Sequence, residues 1–351
     1  MSTQSASATE FFVLPEESQP QFRLLELPPE LLEILTSTDA KPIHFKSSPN
    51  AASNLSLCTP TQTYTVRQVN TSNSVYITRP HATATTNNGP TAPSIHAIAK
   101  SDFTYELAPT KTTLDTVIPY IRAALPIYTS TGAHQLKPDL APKTKADLFA
   151  DIPFSDLECE RGWKRLACFE LDDDDNNAKG CFIPSGEAKL QAWKSTVQRS
   201  HEYGIDLTAA FNESLLIDSS SDLARKLSQA ILSSVAVDTS ASQLDASETV
   251  RQAGLWNLEA ATQTRGAVKM AEFVGEWKDL LPEKWREMAR LEELKGEYEV
   301  VNEGREIRLA ASASGGSSSA VGEKAGPAAE AKSLGAKRKW HEKFRVSKKG
   351  A

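Results

Sequence analysis

Residues 54–78 read NLSLCTPTQTYTVRQVNTSNSVYIT, and this stretch decides the fold of the N-terminal region. Two apolar segments frame it, at 55–58 and 74–77. Between them Tyr64 and Val66 alternate with polar neighbours, and Val69 follows among Thr and Gln. A period of two marks a half-buried strand, because successive side chains point to opposite faces. Thr71-Ser72-Asn73 is expected to be the polar break between two such strands. Nothing in the stretch has the residues of an active site. It is expected to belong to a small antiparallel barrel or sandwich whose edges need a partner.

Working outward, FRLLEL at 22–27 reads as a strand ended by Pro28-Pro29. Pro29 suits the first turn of a helix, which Leu31, Leu32, Ile34 and Leu35 continue. Ile43 and Phe45 alternate within a further strand at 41–46. Residues 81–93 are rich in Thr, Asn and Pro and read as a loop. Beyond it, 95–99 and 103–107 are short strands suited to pair as a hairpin. Short strands with turn signals over about 90 residues form an all-β pattern.

After Pro109 the period becomes helical. Leu114, Val117, Ile118, Ile121 and Leu125 share one face, with Pro119 expected in a first turn or at a kink. Residues 129–143 hold Gly and Pro with few bulky apolar side chains, and mark a domain boundary. Short helices follow at 145–152 and after Ser155, a suitable cap. Then come an acidic loop, a strand at 181–183, and a helix at 186–203 striped by Leu190, Trp193 and Val197. A second series runs from Ser221. It has helices striped by Leu223, Leu227, Ile231 and Leu232, then by Val250, Leu255 and Trp256. The next carries Met270, Phe273, Val274, Trp277 and Leu281, and a helix at 285–294 carries Trp285, Met288, Leu291 and Leu294. A hairpin at 299–309 turns on 302–304. Helix, helix, hairpin twice over suggests winged-helix modules.

The chain is therefore expected to be α+β. It divides into a disordered 1–20, a β-barrel domain at 21–128, and winged-helix-like modules at 143–217 and 218–311. An Ala/Ser/Gly linker at 312–336 and a basic tail at 337–351 complete it.

At 351 residues, 40% hydrophobic and 24% charged, the composition is that of a globular protein. No run approaches the roughly 18 apolar residues of a membrane span, and the N-terminus lacks the basic and apolar regions of a secretory signal. Cys58, Cys159, Cys168 and Cys181 form no C-x-x-C pair, so free thiols in a reducing compartment are expected rather than a zinc site. The formal charge is −6. Lys337, Arg338, Lys339, Lys343, Arg345, Lys348 and Lys349 face one carboxylate, Glu342, in the tail; this is +6, so the rest of the chain carries −12. An acidic body with a basic tail confines any nucleic-acid contact to local patches or to the tail.

No motif of catalysis is present. There is no H-x-x-x-H, no G-x-S-x-G elbow, no phosphate-binding G-x-x-x-x-G-K and no G-x-G-x-x-G. Asp172, Asp174 and Asn176 match the first ligands of a calcium loop. However, Asn177 stands where the turn needs Gly and Ile183 where the bidentate Glu belongs, so a solvated loop is expected. No cofactor or metal is expected. The tryptophans at 163, 193, 256, 277 and 285 fall on apolar stripes and are expected in the core. Trp340 differs, because it sits with Phe344 among the tail cations. Stacking on bases, nuclear import or partner docking, and a plain solvated end are all open for that tail.

The chain resembles the Dcc-type sister chromatid cohesion family. The likeness lies in FRLLELPPELL (22–32), LSLCTPTQTYTVRQVNTSNSVYI (55–77) and DIPFSDLECERGWKRLACFEL (151–171). It continues in GAVKMAEFVGEWKDLLPEKW (266–285) and RLEELKG (290–296). The Leu-Cys-Thr, Thr-Tyr and Thr-Ser-Asn series of the opening stretch is its most specific part. The resemblance implies a nuclear, non-enzymatic accessory subunit of an alternative clamp loader that loads or unloads PCNA at replication forks and supports cohesion. It implies an N-terminal barrel completed by a small Ctf-type subunit and the end of the large Ctf-type clamp-loader subunit. It also implies contact of the winged-helix part with the catalytic subunit of polymerase epsilon, and with DNA. Leu24, Leu25, Leu57, Cys58, Tyr64, Thr71, Ser72 and Asn73 are then framework for the partner barrel. Longer members continue through a further winged helix after a segment like KWHEKF, so the tail here is expected to be what remains of it.

Two other classes stay open from sequence. One is a stand-alone winged-helix DNA-binding regulator, which needs a strongly basic recognition helix. The other is an enzyme whose site is assembled only in space.

Overall fold

A computed structural model describes residues 10–13, 22–47, 55–81, 94–129, 143–171, 179–237 and 243–310. The fold is α+β, with an N-terminal sheet curled into a half-barrel and a helical C-terminal part. The sheet contains β1 (Glu10–Val13), β2 (Leu24–Leu25), β3 (His44–Lys46), β4 (Ser56–Cys58), β5 (Thr63–His81) and β6 (Ser94–Pro109). Its order is β1-β6-β5-β4-β3, with β2 also on β6. The pairs β3–β4, β4–β5 and β5–β6 are antiparallel, whereas β1 and β2 run parallel to β6.

Several elements are longer or shorter than their sequence pattern. The opening stretch holds one 19-residue strand, β5, rather than two strands broken at Thr71-Ser72-Asn73. The polar triplet is absorbed where the register against β6 shifts, between Asn70 and Val75. Backbone pairing, which is indifferent to side-chain polarity, carries the strand through, and the mismatch becomes a bulge. The two strands expected at 95–99 and 103–107 are likewise a single strand, β6. Phe11, Phe12 and Val13, within the stretch read as disordered, form β1 beside residues 94–97. Aromatic and β-branched residues favour a strand there despite their Ser/Thr-rich surroundings.

One face of the sheet is covered by helix α1 (Pro29–Thr36). Leu31 projects from it into a small core with Leu57, Tyr64 and Val66, flanked by Leu25, Leu27, Ile34, Ile43, Tyr105 and Leu107.

The helical part contains one order of elements twice. The first is α2 (Leu114–Ala124), β7 (Ile127–Tyr128), α3 (Lys145–Asp151), α4 (Asp156–Arg165), β8 (Phe169–Leu171) and β9 (Gly180–Pro184). The second begins at α8 (Ala246–Arg265) and continues through β10 (Val268–Lys269) and α9 (Met270–Asp279). Two 3-10 segments, Glu283–Met288 and Leu291–Leu294, lead to β11 (Tyr298–Val301) and β12 (Glu306–Leu309). Each series closes a three-stranded sheet whose first strand lies beside the third, β7-β9-β8 and β10-β12-β11. Between the two series stand α5 (Gly186–Glu202), α6 (Glu213–Leu216) and α7 (Asp222–Val235).

The expected helix at 285–294 is instead the pair of 3-10 segments. Trp285, Met288, Leu291 and Leu294 recur every third residue, which matches three residues per turn better than 3.6. Pro119 lies inside α2, past the first turn and on its exposed side. The hairpin turn at 302–304 is as expected, with Asn302 and Glu303 at φ of 50° and 57°.

Two separate apolar cores support this part. One gathers Val117 and Ile121 of α2, Leu148 of α3, Cys159 and Trp163 of α4, and Cys181 and Ile183 of β9. The other is larger and runs from Tyr128 and Phe169 through Trp193, Trp256, Phe273, Trp277 and Trp285 to Ile307. All five of the helix-borne tryptophans expected in the core are buried. Helices α5 and α8 approach so closely that a Cβ at Gly186 would stand 2.7 Å from the Ala260 backbone nitrogen.

Candidate functional site

The sheet presents a long backbone edge. Strand β4 pairs only with the first residues of β5, Thr63 to Thr65, and the last backbone bond on that side runs from Val66 N to Leu55 O at 2.9 Å. Past that point β5 continues along β6 for many residues. No described strand lies beside Arg67–Asn70 on the β4 side. Arg67 and Glu106 are opposite partners across β5–β6. The far end of the same sheet is β3, three residues long, whose Phe45 is 59% exposed. Leu32 and Leu35 of α1 and Leu55 beside β4 add further exposed apolar area. Backbone groups at an open edge, flanked by apolar side chains, are what an added strand requires.

The other face of β3–β5 meets the α3–α4 turn through polar groups. Lys46, only 6% exposed, donates from Nζ to the carbonyls of Phe149 (2.8 Å) and Phe154 (2.9 Å), with Asp156 at 3.6 Å. The buried Glu158 carboxylate accepts from Thr63 Oγ1 (2.5 Å), Ser155 Oγ (2.6 Å) and Ser155 N (3.1 Å). Ser155 N also donates to Thr63 Oγ1 at 2.8 Å, and Leu157 N to Pro60 O at 3.0 Å. The Ser155–Glu158 capping box of α4 is thus completed by a threonine of the sheet.

The framework residues expected from sequence separate into three groups. Leu57, Cys58 and Tyr64 are buried, Leu57 and Tyr64 under α1 and Cys58 on the opposite face, near Thr63. Leu24 and Leu25 are half-buried on β2 beside Thr104 and Tyr105. Thr71, Ser72 and Asn73 fall at the β5 irregularity, where Ser72 and Asn73 are exposed. The tail residues Lys337, Arg338, Lys339, Trp340, Lys343, Arg345, Lys348 and Lys349 lie outside the described residues, as do the acidic residues 172–178. Sequence reading missed Lys46, Thr63 and Phe45. Ser155 was legible as a cap, but its pairing with Glu158 was not read, and nothing local tells that a sheet residue 92 positions earlier joins it.

Electrostatics here suit packing. Burial pushes the Tyr64 hydroxyl up, assisted by the charge of Glu30. Burial likewise raises Cys58, and pushes Cys159 and Cys181 up to about 12. Cys168 is also raised by burial. A thiol with a raised pKa stays protonated and unreactive at pH 8. The native chain is therefore expected to resist iodoacetamide at pH 8, and all four free cysteines to react once it is unfolded in guanidinium, as read by intact mass. Among the described residues no group of three or more His, Cys, Asp or Glu could hold a metal ion. No described helix is long and apolar enough to cross a membrane.

No individual curated protein matches the chain. The family described as sister chromatid cohesion protein Dcc1 matches residues 22–313, from β2 through the last hairpin. That span takes in β2 to β6 of the sheet, the polar seam and both repeats of the helical part, and leaves out β1. The chain belongs to the sister chromatid cohesion protein Dcc1 family, and its role lies in sister chromatid cohesion.

Proposed function

We propose that the chain is a non-catalytic subunit of an alternative clamp loader that acts on PCNA at replication forks in the nucleus. Strands of a small Ctf-type subunit and of the large Ctf-type subunit complete the N-terminal half-barrel. The helical part meets the catalytic subunit of polymerase epsilon. The observation that carries this reading is the β5 edge past β4, beside which no described strand lies at Arg67–Asn70, with Phe45 exposed on the edge strand β3. Main-chain pairing there provides affinity, and Phe45 provides an apolar anchor.

The repeated order of the helical part, with its first-third-second strand order, supports reading 114–184 and 246–309 as winged-helix-like units. In such units the helix before the hairpin is the one that enters the DNA major groove by its N-terminal residues. In the first unit that helix is α4, and its start is held by Ser155 and Glu158 against Thr63 of β5 and by Leu157 against Pro60 of the β4–β5 turn. In the second, the corresponding 283–294 carries Lys284, Arg286 and Arg290 against Glu283, Glu287, Glu292 and Glu293. Neither arrangement favours a stand-alone DNA-binding regulator, and both favour assembly with protein.

Co-expression with the two Ctf-type subunits tests the reading. The wild-type chain is expected to co-purify with both. Phe45→Asp is expected to weaken that association by roughly tenfold or more, about 1.4 kcal/mol, with the free chain's melting temperature unchanged. A full-length chain that stays monomeric beside both subunits overturns the proposal.

A further inference from the structure

We propose that the polar seam between the sheet and the first helical unit is a mechanical coupler, with Lys46 as the tie that fastens the edge strand β3 to the α3–α4 turn. The sheet core and the core beneath α4 are separate apolar clusters, so burial of shared hydrophobic side chains does not join them here. The joint is made by helix caps instead.

Helix α3 ends at Asp151, and its Leu148 carbonyl is taken by Ile152 N. The next carbonyl, Phe149 O, receives Lys46 Nζ. A cation at a helix C-terminus satisfies an orphan carbonyl and opposes the negative end of the helix dipole. The same ammonium caps Phe154 O, directly before the N-cap of α4. Thr63 of β5, two strands along the sheet from β3, completes that N-cap. Both ends of the α3–α4 turn therefore depend on side chains of the sheet.

The dependence also runs the other way. Strand β3 has three residues, pairs only with β4 among the described strands, and exposes His44 and Phe45. Its one buried side chain is Lys46. A short edge strand with no apolar burial of its own belongs to the least stable part of a fold. What fastens it is an ammonium held by two carbonyls of the helical unit and lying near Asp156. Loosening either side must loosen the other, so strain at the sheet edge reaches the helical unit through this turn. The coupler belongs to the free chain and stands independently of any partner.

Amide hydrogen exchange on the full chain tests it. Lys46→Met keeps the aliphatic stem and removes the donors. It is expected to speed exchange by roughly tenfold at 44–46 and 56–58, and also at 149–159, while 246–309 keeps its protection. Ser155→Ala perturbs only the helical side, and is expected to speed exchange at 44–46 as well. Unchanged exchange at 149–159 in Lys46→Met, or at 44–46 in Ser155→Ala, overturns the coupler. If Lys46→Met also loses protection at 246–309 through general unfolding, the milder Ser155→Ala decides by the same criterion.

Discussion

Trp277→Ala is expected to destabilise the helical part by about 3–5 kcal/mol, a large share of the 5–15 kcal/mol that holds an ordinary domain together. The indole is fully buried, lies 5.7 Å from the Phe273 ring centre, and donates from Nε1 to Val250 O at 2.9 Å. It packs closely against α8 because residue 254 has no side chain. A Cβ at Gly254 would stand 2.5 Å from Cε2 and 2.6 Å from Cζ2 of that ring. Gly254→Ala alone is therefore expected to cost about 1–3 kcal/mol by overpacking, even though alanine is the better helix former. The two changes should not add. Once the indole is gone the new methyl has room, so the double variant is expected to be no less stable than Trp277→Ala alone. Urea unfolding of the four chains measures this, and strict additivity would refute the contact.

Leu31→Ala has the second large effect, and a local one. Leu31 is the fully buried centre of the contact between α1 and the sheet, in a cluster of only four buried residues. Truncation is expected to cost about 2–5 kcal/mol. Few neighbours are available to fill the gap, which places the loss toward the upper end. Because this cluster is separate from those of the helical part, exchange protection is expected to fall across 24–36 and 55–66 while 246–309 remains protected. Protection lost equally in both regions would mean that the sheet and the helical part unfold as one.

What the sequence made legible follows the range of the interaction concerned. Stripes such as Phe273, Val274 and Trp277 announce a helix because their spacing is local. The turn at 302–304 announces itself by Asn302 and Gly304, residues that tolerate positive φ. Ser155 announces a helix cap by its residue type just before an apolar stripe. By contrast, the continuity of β5 through Thr71-Ser72-Asn73 depends on β6, which pairs with the strand on both sides of the triplet, at Asn70 and again from Val75. The roles of Lys46 and Thr63 are set by backbone atoms about a hundred positions away. A lysine in the alternating run around Ile43 and Phe45 looks like a solvated residue until the α3–α4 turn is laid beneath it. The candidate interaction site was legible as a sheet with unmet edges. Which edge is open depends on how far β4 accompanies β5, and no property of either strand alone sets that length.

The parallel pairing of β1 and β2 with β6 sets a timetable for the nascent chain. Leu24 and Leu25 join Thr104 and Tyr105, and Glu10–Val13 join residues 94–97. During synthesis, Phe11, Phe12, Leu24 and Leu25 leave the ribosome long before their partners are made. At about 5–20 residues per second they wait for several seconds. Pairings so distant along the chain also close slowly once both strands exist. Phe11, Phe12, Leu24 and Leu25 therefore stay without their partner strand through most of the synthesis of the sheet and are the side chains in it most in need of a chaperone, although in the finished fold β1 lies at the margin of the sheet.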